Sequence, residues 1–150
     1  MEEGTSTSFD SFELQLNNEA KDFLRGAANW SIGLAILGFI GSGFLLLAAL
    51  AMFAAGSMAE TNRALKGMPT SSMGVMYLIM AILYFIPMLY LMKFSSSTKR
   101  ALDENNIQKL ATSFGNLKNH FMSAVLSVIG GIILFIAFAV IVAASTAGQL

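Results

Sequence analysis

The chain has 150 residues, of which 55% are hydrophobic and 12% charged, with a mean hydropathy of +0.66 and nine cations balanced by nine acids. That balance is a poor match to a water-soluble domain, and with no compact basic face it excludes nucleic acid as a partner. The absence of cysteine excludes disulfides, thiolate metal sites and cysteine nucleophiles.

Residues 1 to 15 are rich in Ser, Thr and acids, which predicts a disordered tail ahead of one helical membrane domain over residues 16 to 150. The tail has no basic stretch leading into an apolar one, so no cleaved secretory signal is expected and the first span serves as its own insertion signal. Leu16, Ala20, Phe23, Leu24 and Ala27 then recur at spacings of three and four, with Glu19, Lys21, Asp22 and Arg25 on other faces. This pattern predicts an amphipathic interfacial helix over about residues 16–28.

No charge lies between Gly26 and Ala59, between Gly67 and Met92, or between Phe121 and Leu150. Each block is long enough to cross a hydrocarbon core of roughly 30 Å at about 1.5 Å per residue. The fold class that follows is an all-α membrane protein with three transmembrane helices, at about 30–55, 72–93 and 121–145.

In the first span, Trp30 stands where an indole anchors at the headgroup boundary. Ser31, Ala35, Gly38, Ser42 and Ala49 form a small-residue stripe along it. Small side chains allow a second helix to approach closely, which is how helices associate in lipid. Residues 57 to 71 contain Gly, Pro and the cations Arg63 and Lys66 and read as a loop.

In the second span Pro87 predicts a kink, because proline donates no backbone hydrogen bond and crowds the carbonyl four residues before it. Tyr77 and Tyr84, one heptad apart, are expected to pack and hydrogen-bond against a neighbouring helix, while Tyr90 and Lys93 anchor the far end. Helical spacing continues through Phe94, Ala101 and Leu102 to a predicted turn at residues 103–106.

A second amphipathic helix is expected over about 105–120, with Asn105 and Gln108 as a capping pair, running into the third span. There Ser123, Ser127, Gly130, Ala137 and Ala144 form another small-residue stripe, so the first and third spans are expected to touch each other.

Lys and Arg outside the spans number two before the first, two in the first loop, five between the second and third, and none after the third. A cytoplasmic N-terminus puts seven inside and two outside; the positive-inside tendency therefore predicts cytoplasmic N-terminus and 93–120 segment and an exported C-terminus. Lys99 and Arg100 set topology, with binding of anionic headgroups as their second reading.

His120, the only histidine, reads as a solvated interfacial residue, because one histidine makes no zinc site. Met76 with Met80, and Met88 with Met92, are pairs of thioethers one helical turn apart that suit Cu(I). They resemble the methionine pair in the second of three spans in the copper-transporter family. The chain lacks that family's GxxxG in the third span and its methionine-rich exported segment, and its charge pattern predicts the opposite orientation. Flexible packing by methionine is the preferred reading.

Ser31, Ser42, Ser123 and Ser127 have no ionisable partner inside a span to activate them, so they read as bridges between helices and no enzymatic activity, cofactor or metal is expected.

The stretches ILGFIGSGF (36–44), YFIPMLYLMKFS (84–95) with TKRAL (98–102), and IQKLATSFGNLKNHF (107–121) resemble a family of small bacterial inner-membrane proteins known as a domain of unknown function. The resemblance covers about four fifths of the chain and implies a multi-pass inner-membrane protein with no assigned catalytic residue. The expected function is non-enzymatic, through helix packing in the lipid bilayer, as an accessory subunit of a larger membrane-protein complex or a homo-oligomer. An oligomeric pore or small transporter is the alternative.

Overall fold

The structure, a computed structural model, describes residues 18–58 and 70–147. The expected tail, the loop cations Arg63 and Lys66 and the last three residues lie outside the described residues. Three helices follow one another: α1 (Asn18–Met58), α2 (Thr70–Asp103) and α3 (Ile107–Ala147). All three are long and apolar enough to cross a membrane. Lipid offers no partner for backbone polar groups, so uncharged blocks of this length close their hydrogen bonds within themselves as helices.

The helices of 41, 34 and 41 residues extend about 50 to 60 Å, well beyond a hydrocarbon core. The expected amphipathic segments are therefore continuous with the spans. The N-terminal part of α1, the end of α2 and the start of α3 form one projecting three-helix foot.

At the foot, α2 ends with Asn105 in the left-handed region at φ 48°. The Asn106 N–H donates to the Ala101 carbonyl at 2.9 Å and the Asn105 N–H to Leu102 at 3.4 Å, the paired bonds of a Schellman ending. Asn106 then caps α3: its Oδ1 accepts from the Lys109 N–H at 3.0 Å. The expected Asn105 and Gln108 pair is corrected by one residue, because Asn105 is committed to reversing the chain.

α2 is the central helix. In α1 the buried positions Ala28, Ala35, Ser42 and Ala49 repeat every seven residues, and in α2 Gly74, Ala81 and Ser95 are buried at multiples of the same interval. A period of 3.5 residues per turn lets two helices stay in contact by supercoiling left-handedly.

The Ser42 hydroxyl donates to the Ala81 carbonyl at 3.0 Å and the Ser95 hydroxyl to Ala28 at 2.6 Å, two bonds that fix an antiparallel register. α3 also packs on α2, through Phe94 against Phe114 with ring centroids 6.4 Å apart and through Leu83 beside Gly130.

The expected contact between the first and third spans is not formed: among the described residues no Cα of α1 lies within 8 Å of one in α3. The α1 stripe, through Ala35, Ser42 and Ala49, and the Ser127 and Gly130 part of the α3 stripe are directed at α2 instead.

Candidate functional site

The α1 register places Trp30 level with Lys93, since Ala28 meets Ser95. On α3 the same level falls between Phe114, packed against Phe94, and His120, bonded to Pro87. Trp30 is 79% exposed, and the Lys93 ammonium lies 5.7 Å from the Tyr90 ring centre. The headgroup boundary thus cuts all three helices at one height, with indole, phenol and cation where each is most soluble.

Below this level α2 and α3 enclose a groove of about 440 Å³, walled by Met80, Tyr84, Met88, Val128, Ile132 and Phe135. Pro87 also lines it. α2 continues through this buried proline to Asp103, and the proline removes one backbone donor from it. Its missing N–H leaves the Leu83 carbonyl without a helical donor, and the Ser127 hydroxyl of α3 donates to that oxygen at 2.7 Å.

The Pro87 carbonyl is paired with His120 Nδ1 at 2.8 Å. A carbonyl only accepts, so Nδ1 carries the proton. His120 is half-buried and holds α3 onto α2, a correction to its reading as a solvated residue.

Of the expected packing residues, Ala35, Ser42 and Ala49 are buried against α2, and Ser31, Gly38, Ser123, Ser127 and Gly130 are half-buried. A Cβ on Gly38 would stand 2.3 Å from the Met88 sulfur, so this glycine allows α1 its close approach. Ala137 is exposed, as is Ala144. Beyond Gly131 an unsupercoiled helix turns Leu134, Phe138 and Val142 toward the half-buried side instead.

Tyr84 is 52% exposed along the groove, and among the described residues neither its hydroxyl nor that of Tyr77 makes a hydrogen bond, contrary to expectation. Ala28, outside the expected stripe, is fully buried; the seven-residue interval back from Ala35 was the signal for it.

In the foot, Arg25 pairs with Asp103 at 2.6 Å and Lys21 Nζ donates to Asn105 at 3.0 Å, tying α1 to the hairpin turn. Glu104 accepts from Arg100 Nε at 2.9 Å and from Lys109 Nζ. These side-chain bonds, to Lys109 and then to Arg100, hold the Glu104 carboxyl below the usual carboxylate range. Lys99 is half-buried.

Ser95, Thr98 and Ser113 are fully buried at the core of the foot. Ser113 donates to the Leu110 carbonyl at 2.7 Å, whereas Thr98 Oγ1 has no partner. No group of three or more His, Asp or Glu side chains able to hold a metal occurs among the described residues. Comparison with models of known families, with curated proteins and with solved structures finds no match for this chain.

Proposed function

We propose that the chain is a non-enzymatic integral protein of a bacterial inner membrane that works by packing its helices against a membrane-embedded partner, as an accessory subunit or as a homo-oligomer. The observation that carries this reading is the separation of α1 from α3. Both lean on α2, and α2 with α3 leaves open the groove of about 440 Å³ lined by Met80, Met88 and Phe135.

An apolar groove with flexible thioether walls re-forms around an incoming helix at little cost. The spans carry no charged residue, so acid–base chemistry and ion relays lack their usual groups there. The cation distribution supports a cytoplasmic foot and an exported C-terminus, and the resemblance to small bacterial inner-membrane proteins supports the location.

Native mass spectrometry after gentle solubilisation tests the reading. A stable multimer, or a stoichiometric second membrane protein, is the expected result. A monomer with no co-purifying protein overturns it, and ion flux from purified protein in liposomes above that of empty vesicles would favour a pore instead.

A further inference from the structure

Four polar side chains on α2, Tyr90, Lys93, Ser97 and Arg100, occur at intervals of three, four and three residues. On α3, Lys109, Thr112, Asn116 and Asn119 repeat the same intervals. Such spacing keeps each set on one face of its helix.

The antiparallel register set by Phe94 with Phe114 and by Leu83 with Ser127 brings the two sets level, Arg100 opposite Lys109, Ser97 opposite Thr112, Lys93 opposite Asn116 and Tyr90 opposite Asn119. At the upper end, Ser97, Arg100, Lys109 and Thr112 line a common hollow of about 300 Å³. Stacked polar pairs thus run down one side of the seam between α2 and α3, from the foot to the headgroup boundary.

We propose that this strip is a binding site for an anionic phospholipid, with the lipid phosphate in the hollow and the glycerol ester groups beside Lys93 and Asn116. Height is the first support. Ser97 and Arg100 stand one and two turns beyond Lys93, about 6 and 10 Å along the axis, and the headgroup layer of one leaflet is about 5 to 8 Å thick. An arginine side chain spans the remainder by snorkelling.

Charge is the second support. Residues 18–29 and 93–120 carry seven cations and four acids, an excess of three positive charges on the foot. Arg100 lines the hollow, and Glu104 engages only its Nε, which leaves the two Nη nitrogens without a partner among the described residues, and the Ser97 hydroxyl is equally free. A planar guanidinium with a hydroxyl beside it is suited to phosphate oxygens.

The third support is position near lipid. Asn116 and Asn119 are half-buried at the boundary and have no hydrogen-bond partner among the described residues. Ester carbonyls of a bound lipid would supply acceptors for both amides. The inference rests on the membrane placement and is independent of the partner-packing role.

The test is titration of the full chain in mild detergent with dioleoyl phosphatidylglycerol or dioleoyl phosphatidylcholine, with bound lipid counted by native mass spectrometry. Phosphatidylglycerol is expected to bind at least about tenfold more tightly. Each cation lining the hollow contributes about 1 kcal/mol toward the bound anionic headgroup, about fivefold. Arg100→Gln with Lys109→Gln should therefore weaken phosphatidylglycerol about 25-fold and leave phosphatidylcholine unchanged.

Ser97→Leu with Thr112→Leu fills the hollow without altering charge and should weaken phosphatidylglycerol comparably. This second pair keeps the test decisive if the first unfolds. Lys99→Gln with Lys118→Gln, off the strip, should change binding less than twofold. Equal binding of the two lipids, an equal loss in the Lys99 and Lys118 variant, or displacement of lipid by inorganic phosphate or by polyglutamate would overturn the proposal. The last result would assign the strip to an acidic protein segment.

Discussion

The Ser127 hydroxyl on α3 donates to the Leu83 carbonyl of α2 at 2.7 Å, the oxygen that Pro87, four residues on, cannot serve. A defect in one helix thereby becomes a specific attachment point for another. Ser127→Ala should destabilise the native chain by about 1 kcal/mol, within the range measured for hydrogen bonds between helices in lipid. In a Pro87→Ala background the Leu83 carbonyl regains a helical donor, and the same change should cost nearly nothing. Unfolding of the four proteins of this cycle in mixed detergent measures the coupling, and an equal loss in both backgrounds would refute the link.

Gly38 and Gly33 should respond oppositely to a methyl group. A Cβ at 38 meets the Met88 sulfur and its Cγ at 2.3 and 2.4 Å, whereas one at 33 meets nothing within 4 Å. Gly33→Ala should be neutral or stabilise by up to about 1 kcal/mol, the helix preference of alanine over glycine. Gly38→Val should destabilise by about 1 to 3 kcal/mol through overpacking, and Met88→Ala should restore part of the loss. Thermal melts in detergent decide the matter.

Thr98 is fully buried with an unpartnered hydroxyl. Leaving a buried polar group unsatisfied costs about 1 to 3 kcal/mol. Replacing Thr98 by valine, which keeps the shape, should leave the melting temperature unchanged or raise it; a clear fall would mean that the hydroxyl has a partner in the folded protein.

The bonds from Glu104 to Lys109 and Arg100 hold its folded-state pKa below the unfolded reference of 4.5. Their contribution to the hairpin is therefore complete above that pH and is lost as pH falls through the lowered folded value. Glu104→Gln should melt earlier than the native chain at neutral pH and match it in strong acid. A difference that persists unchanged in acid would contradict this assignment.

The absence of cysteine makes topology directly measurable. With a cytoplasmic foot, Ser57→Cys at the end of α1 should react with a membrane-impermeant maleimide in intact cells. Gln108→Cys should react only after the membrane is opened. The reverse pattern would invert the orientation.

What the sequence by itself determined is what lipid imposes locally. A block without charge must satisfy its own backbone, so three helices, the turn at 103–106 and the boundary at Trp30, Tyr90 and Lys93 follow from composition and spacing alone. The buried interval of seven in α1 was also partly legible, through Ala35, Ser42 and Ala49.

Only the tertiary structure decided which helix lies in the middle, because stripes of small residues are alike in kind and lipid gives no preference among apolar partners. The choice of α2 rests on pairwise detail: Met88 over Gly38, Ser95 reaching Ala28, and the carbonyl exposed by Pro87 meeting Ser127 and not α1. The same register brought Arg100 level with Lys109, a juxtaposition of two unremarkable cations that spacing along the chain does not reveal.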